Sequence, residues 1–462
     1  MIMNSKLKLT TFLALLATAA VVNAQTIAKT ESGKLGSELT PMGSNPAANA
    51  DGSIPVWSGS IVGLPDGLNY AGSGAPYPDP YADEKPLFTI DANNFTQYQD
   101  KLTEGQKALF AKYPKTFAMN IFPTHRDFRY KSDIEERTKW NVGNAELVNG
   151  IDGLQKYTGG APFPIPQNGA EVMWNARINQ PMPVADSLFD EVAVYANGKT
   201  QRFRNKLIIE SPFAYGNHPV GKTSDEIGIN SALVFYEVVE PRKKKGEMVV
   251  VHEPLDQVQH DRKAWVYIPG AKRVKRAPNA GFDTPVGPGG MYTADDSMGF
   301  NGAMIRYNWK LVGKKEVYIP YHSYKFDDAG LTYDKLLTPK HANPDYMRYE
   351  LRRVWVVEAD LKQGQRHIYA KRRFYVDEDS WLITATDAYD GRGELWRIGL
   401  QNTLYDYYLK GYIVRTQMNH DLQAGDYVAA RLVNETRPTN YAMEIKGENF
   451  YSPNNLRKMG RR

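Results

Sequence analysis

The sequence predicts a mainly β protein with packed helices, in which one large curled antiparallel sheet forms an incomplete β-barrel after a long irregular N-terminal arm. Three observations lead to this fold class. Alternating apolar and polar residues mark successive strands after residue 186. Turn-forming residues separate these strands every ~10–15 residues, which is typical of antiparallel meanders rather than of βαβ units. The chain before residue 90 is instead rich in Gly, Pro, Asn and Ser.

Residues 1–24 have the three zones of a secretory signal peptide. Lys6 and Lys8 come first, an apolar run covers residues 9–22, and the small residue Ala24 ends the segment. We expect cleavage after Ala24 and a soluble mature protein in a bacterial periplasm. A buried N-terminal helix is the alternative. The chain has no cysteine, which excludes disulfides, thiolate metal sites and a cysteine-linked lipid.

The next two segments are expected to lie on the sheet. Residues 25–90 form the extended arm, because their interspersed aromatic residues argue against disorder. Residues 91–185 form a helical and Pro-rich segment. Two helices are expected before Pro114, the second one capped by Thr103 and Gln106 in a capping box, and a third is expected near residues 132–140.

A Pro-rich ribbon, GGAPFPIPQNG, precedes a further helix, for which Asn168 is the expected N-cap. Its prolines alternate with Phe163 and Ile165. Such a polyproline-like strip offers few hydrogen-bond donors and can cover apolar surface. We expect Phe163 and Ile165 to cover the mouth of the incomplete barrel, and the helix to plug or flank its cavity.

The incomplete barrel is expected to span residues 186–410, followed by a C-terminal extension over residues 411–462. Asn197 and Gly198 predict a type I′ hairpin turn between the first two strands. Residues 277–302 form a Gly- and Pro-rich loop longer than the ~12–15 residues that compact domains usually leave unstructured. Its apolar side chains favour a lid over the cavity; they are Met291, Tyr292, Met298 and Phe300.

Catalytic and metal-binding signatures are absent from the sequence. It has no nucleophile elbow, zinc-protease motif, phosphate-binding loop or dinucleotide-binding glycine set, and its histidines are scattered. Asp377–Asp379 lacks the spacing of a calcium loop, so a solvated turn is expected there. The net charge of +5 is too small to predict nucleic-acid binding. We expect no enzyme activity, no cofactor and no metal.

Large aromatic side chains on the strands are the remaining candidates for a ligand site. Either they line the cavity or they pack in the core, since aromatic residues dominate cores as well. The candidates are Trp265, Tyr267, Trp309, Trp355 and Trp381.

Four separated motifs resemble domain-of-unknown-function family 1329, often labelled outer membrane lipoprotein-sorting proteins. The motifs are LTPMGSNPAANADGSIPVWSGSI, DPYADEKPLFTI, LTEGQKALFAKYP and GGAPFPIPQNG. Within this resemblance, WVYIPGAKRVKRAP and DDSMGF are similar to the strand pair and loop of LolA/LolB-type proteins. The resemblance implies an incomplete barrel with an apolar cavity for acyl chains. It also implies an RND-family (MMPL-type) transporter and an outer-membrane protein as partners.

Together these observations predict a periplasmic carrier or accessory protein that binds a lipid-like or other hydrophobic ligand. An outer-membrane-associated position is compatible with this function. The alternative is a structural adaptor of an envelope complex that has no ligand of its own, and an enzyme acting on a hydrophobic substrate comes third. An apolar cavity of ~300–1,000 Å³ favours the carrier, and an interior filled by side chains favours the adaptor.

Overall fold

The computed structural model describes residues 30–178, 181–214, 216, 218–277 and 282–461. The expected signal peptide, residues 1–24, lies outside these described residues. In the part of the chain that the structure describes, no helix is long and apolar enough to cross a membrane. Residues 35–87 contain turns and isolated bridges.

The strands in chain order are β1 (Phe88–Ile90), β2 (Met119–Ile121), β3 (Glu146–Val148), β4 (Gly153–Gln155), β5 (Val184–Val194), β6 (Thr200–Glu210), β7 (Asn230–Glu240), β8 (Met248–Pro254), β9 (Lys263–Ile268), β10 (Arg273–Arg276), β11 (Pro285–Val286), β12 (Tyr292–Thr293), β13 (Tyr307–Pro320), β14 (Tyr349–Leu361), β15 (Lys371–Asp377), β16 (Ile383–Tyr389), β17 (Leu395–Asp406), β18 (Gly411–Asp421) and β19 (Asp426–Asn440). The α-helices with both ends described are α1 (Glu104–Lys112), α2 (Ser132–Asn141), α3 (Gly169–Ile178), α4 (Ser224–Ile227), α5 (Tyr333–Leu336) and α6 (Pro453–Met459).

One large sheet dominates the fold. Its strand order is β1-β2-β14-β15-β16-β17-β18-β19-β5-β6-β7-β8-β9-β10, and β13 pairs with β14. The successive pairings from β5 to β10 are antiparallel, whereas β2 meets β14 in parallel. The path has β1 at one end and β10 at the other, so the sheet is not closed into a barrel. The predicted fold class, a mainly β protein with an incomplete barrel, is confirmed.

The boundary expected after residue 410 is wrong. β18 and β19 follow that residue, and they connect β17 to β5 in the middle of the sheet. Hydrogen-bonded neighbours in a sheet need not be neighbours in sequence, so a late hairpin can join two earlier groups of strands. The segment that follows the sheet begins after Asn440 and contains α6.

Most of the local signals before β5 are confirmed. Thr103 and Gln106 form the capping box of α1, and the Asn168 side chain accepts a hydrogen bond from the backbone of Glu171 at 3.0 Å. The first expected helix is instead a 3-10 helix, Phe95–Lys101. Short polar caps satisfy free N–H groups locally, which is why the sequence alone reveals them.

The turn between β5 and β6 differs from the predicted type I′ turn. A type I′ turn requires a positive φ at both central residues. Gly198 has a φ of 82°, but the φ of Asn197 is not positive. The backbone N–H of Gly198 donates to the Tyr195 carbonyl at 2.8 Å. This is the three-residue hairpin loop, in which a type I turn is followed by a left-handed glycine.

The acidic stretch Asp377–Asp379 is buried, so the expectation of a solvated turn is wrong. Arg352 and Arg126 each approach Asp379 to 2.8 Å, and the Ser44 hydroxyl donates to it at 2.6 Å. Desolvation raises the pKa of Asp379, but the two arginines outweigh it and hold the pKa well below its usual range. The cluster fastens the segment around Ser44 to the sheet.

Candidate functional site

A cavity of about 600 Å³ lies against one face of strands β5 to β9. Its volume falls within the ~300–1,000 Å³ range of small-molecule sites. Directly paired residues share a face of a sheet, and the cavity wall follows such pairs across neighbouring strands. The apolar wall residues include Phe203, Leu207, Ile209, Val234, Val249, Val251 and Val266.

Helices α2 and α3 close the cavity on another side. Ile134 of α2 and Trp174 of α3 are among the lining residues. The Asn175 side chain on α3 accepts from the Phe163 backbone N–H and donates to its carbonyl, both at 2.7 Å. These bonds fix the Pro-rich ribbon to α3, and the helix flanks the cavity as expected. The ribbon residues Phe163 and Ile165 are half-buried but are not among the lining residues.

The expected lid segment contributes Tyr292, Met298 and Phe300 to the lining. It is firmly attached, because Arg372 approaches Asp295 at 2.9 Å and Asp296 at 2.7 Å in a buried cluster. Met291 is buried in a neighbouring apolar group with Ala193 and Val428, outside the lining.

Two of the strand aromatics lie on the opposite face of the sheet from the cavity. Tyr267 is buried and its hydroxyl donates to the Gly460 carbonyl at 2.6 Å. Trp265 packs in the same cluster, beneath α6. Their neighbour Val266 faces the cavity instead, because successive side chains of a strand point to opposite faces. The prediction that Trp265 and Tyr267 line the cavity is therefore wrong, because both face away from it.

The other aromatic candidates pack in the main core rather than in the cavity lining. Trp309 lies 5.2 Å from the ring centre of Phe300, and its indole N–H donates to the Met304 carbonyl at 2.7 Å. Trp355 and Trp381 stack with their ring centres 6.3 Å apart. The core alternative is therefore what the structure shows for all three tryptophans.

Glu191, on β5, is a buried carboxylic acid in the cavity lining. One of its oxygens accepts a hydrogen bond from the Tyr292 hydroxyl at 2.9 Å, and the other has no partner among the described residues. Burial raises the pKa of Glu191 to about 7, against smaller lowering effects of Tyr292 and Arg431. The acid is therefore close to half-protonated at neutral pH.

Arg431, on β19, projects from an irregular point of the sheet. The register shifts between Ala429 and Leu432, and Arg431 has a left-handed φ of 66°. Its side chain lines the cavity, where Nη1 lies 3.1 Å from the sulfur of Met298. Within the described ranges, no carboxylate oxygen lies within 4.0 Å of this guanidinium. Burial lowers the pKa of Arg431.

A second arginine, Arg177 of α3, also lines the cavity and has no ion pair within the described part of the chain. Its guanidinium carbon lies 5.0 Å from the ring centre of Trp174, and Nη1 has no partner among the described residues. Burial lowers the pKa of Arg177, although Glu253 acts in the opposite direction. Arg262, by contrast, pairs with Glu253 at 2.6 Å.

Sequence reasoning missed the three charged residues Glu191, Arg177 and Arg431. The strands that carry the wall are apolar on both faces, so alternation does not reveal which face holds the cavity. A charge within an otherwise apolar strand, such as Arg431 after YVAA, is the one signal that the sequence offers for it.

The fold and the cavity define a mainly β protein whose open sheet borders a mainly apolar cavity. The chain belongs to the family described as "Protein of unknown function (DUF1329)", which matches residues 89–457. The resemblance found in the sequence motifs is thereby confirmed.

Among its relatives, the chain is 40% identical over 462 residues to "Uncharacterized protein PA3922" of Pseudomonas aeruginosa, covering 97% of this chain and 96% of that one. It is also similar to two solved structures. One is a DUF1329 family protein from Desulfovibrio piger, with 13% identity, a TM-score of 0.41, and 61% of this chain and 95% of that chain covered. The other is a putative outer membrane lipoprotein-sorting protein domain from Vibrio parahaemolyticus, with 15% identity and a TM-score of 0.42. This match covers 63% of this chain and 98% of that chain.

Proposed function

We propose that this protein is a non-enzymatic carrier or accessory protein that holds a lipid-like or other hydrophobic ligand in its cavity. The observation that carries the proposal is the open space of about 600 Å³ beside an apolar wall built from consecutive strands. Leaving such an apolar wall in contact with water is unfavourable, and a hydrophobic ligand that covers it is stabilised by roughly 25 cal/mol per Å² of apolar surface removed from water. An adaptor would be expected to fill its interior with its own side chains, so the cavity supports the carrier instead.

A carrier is also better supported than an enzyme. A buried acid with a raised pKa, such as Glu191, is one mark of a catalytic site. However, the described lining contains no histidine, and the one oxygen partner of Glu191 is the Tyr292 hydroxyl. An enzyme that uses a nucleophile needs a base within hydrogen-bond reach of it.

The proposed setting is the bacterial periplasm, which the signal peptide predicted over residues 1–24 supports. As partners we propose an RND-family (MMPL-type) transporter and an outer-membrane protein, which the resemblance of the sequence motifs implies. In this setting the protein would shield a hydrophobic molecule from water between two membranes.

Native mass spectrometry of the protein purified from its own envelope tests the carrier proposal, together with two substitutions of Val234 on the cavity wall. Val234→Trp places an indole in the cavity and should abolish binding of the neutral probe N-phenyl-1-naphthylamine. Val234→Ala enlarges the cavity and should leave binding intact. A wild-type protein that carries no co-purified molecule and does not bind the probe would contradict the proposal.

A further inference from the structure

We infer that the ligand of this cavity is an anionic amphiphile, whose charged group binds Arg431 while its apolar part lies on the wall of β6 to β8. The inference rests on the proposed carrier function and adds the chemical class of the ligand. The shared chemistry is one carboxylate or phosphate group joined to an apolar body.

The first argument is that, among the described residues, Arg431 has no carboxylate or carbonyl partner and donates only to the Met298 sulfur, whereas other cavity arginines have such partners. Arg262 pairs with Glu253, and Arg137 donates to the carbonyls of Thr158 at 2.9 Å and His218 at 2.6 Å. A guanidinium among apolar groups is unfavourable unless an anion or several acceptors satisfy it. A carboxylate or phosphate matches its donors in a bidentate arrangement.

The second argument is the backbone that presents Arg431. A residue with a branched or long side chain rarely adopts the left-handed conformation, which is unfavourable for residues other than glycine. Bulges of this kind re-aim a side chain and are frequent next to functional sites. Here the bulge directs a cation into a cavity whose wall on β6 to β8 is mainly apolar.

The third argument is the neighbouring acid. Glu191 would repel an anion if it were fully ionised, but burial keeps it substantially protonated near neutral pH. Besides Glu191 and Arg431, the titratable groups that act on this end of the cavity are Tyr292, Tyr236 and Tyr441, with Glu247 acting on Tyr236 and Arg415 acting on Arg431. The three tyrosines have raised pKa values and remain neutral, and Arg415 pairs with Asp327 at 3.1 Å, so Arg431 supplies the unpaired positive charge there.

Arg177 is the alternative anion-binding residue. It lies in the last turn of α3, where the negative end of the helix dipole already stabilises a cation. Its guanidinium also lies over Trp174 and is attracted by Glu253. Because these interactions already stabilise the Arg177 guanidinium, it gains less from binding an anionic ligand. The structure therefore favours Arg431.

The test compares the binding of four C12 compounds to the full mature protein by displacement of N-phenyl-1-naphthylamine. Laurate and dodecyl phosphate are the two anionic arms, dodecanol is the neutral arm and dodecylamine is the cationic arm. We expect either anion or both to bind more tightly than dodecanol, and dodecylamine to bind least. Whether laurate or dodecyl phosphate binds better identifies the source of the anionic group.

Arg431→Met should weaken the binding of laurate and dodecyl phosphate on the order of 10- to 100-fold, which is the effect of losing one hydrogen bond to a charged group. It should weaken the binding of dodecanol much less than that of the anions, and Arg431→Lys should restore part of the anion binding. Arg437→Met is the matched control, because Arg437 lies on the same strand and is not among the lining residues. Thermal unfolding of each variant checks that its fold is intact.

Two results would overturn the inference while leaving the carrier function standing. One is equal binding of laurate, dodecyl phosphate and dodecanol to the wild type. The other is loss of the preference for anions in Arg177→Met but not in Arg431→Met. If N-phenyl-1-naphthylamine itself does not bind the wild type, so that no C12 compound can displace it, both the inference and the proposed function fail.

Discussion

Replacing Glu191 with glutamine should change how the stability of the protein depends on pH. The pKa of Glu191 rises from 4.5 to about 7 on folding, because the carboxyl group is buried. The native state therefore binds a proton more tightly than the unfolded state does. The resulting stabilisation is fully present below pH 4.5 and is lost as the pH rises through about 7.

The size of this effect follows from the two pKa values. A difference of one pKa unit corresponds to about 1.4 kcal/mol, so the full loss for Glu191 is about 3 kcal/mol. Glutamine stays neutral and can still accept the Tyr292 hydrogen bond. The free energy of unfolding of Glu191→Gln, relative to the wild type, should therefore increase by about 2–3 kcal/mol between about pH 5 and about pH 8.

Urea unfolding followed by tryptophan fluorescence at both pH values measures this double difference. Other titrating groups act equally on both proteins and cancel in it. Glu136→Gln is the control, because Glu136 is an exposed acid on α2. If the stability curves of Glu191→Gln and the wild type run parallel from about pH 5 to about pH 8, the reasoning about Glu191 is wrong.

Two further predictions concern the packing around the sheet. Arg352→Met removes one of the two buried arginines that pair with Asp379 and takes away the buried cation that pairs with Asp377. It should destabilise the protein by about 3–5 kcal/mol in urea unfolding, and a loss below about 1 kcal/mol would contradict the structural role of this cluster. Two of the lining side chains of the lid segment should behave differently. Phe300→Ala should cost about 3–5 kcal/mol of stability, since Phe300 is buried against Trp309 and Phe374, whereas Met298→Ala should mainly weaken displacement of N-phenyl-1-naphthylamine by C12 compounds. Equal stability losses in the two variants would show that Met298 also serves the core.

Features encoded by neighbouring residues could be predicted from the sequence. The capping box of Thr103 and Gln106 needs residues three positions apart, and a hairpin needs alternating strands on both sides of a glycine-containing turn. The open antiparallel sheet follows from many such hairpins in succession. The family membership follows from motifs that are themselves short and local.

Features that depend on distant partners could not be predicted in this way. Val266 and Trp265 occupy equivalent positions in an alternating strand, and only the packing of α6 against one face decides which of them borders the cavity. The same reasoning applies to the acidic stretch Asp377–Asp379. Its sequence predicts a solvated turn, and only the folded structure places Arg126 and Arg352 against Asp379.

The sequence by itself therefore determined the fold class, the local helix caps and the family. The tertiary structure alone decided which face of the sheet encloses the cavity, that the last two strands lie in the middle of the sheet, and that Glu191 and Arg431 share the cavity. The physical reason is the distance along the chain between the residues that interact. Backbone hydrogen bonds in caps and turns involve residues a few positions apart, whereas the burial and pairing of a charge depend on chain segments hundreds of residues away.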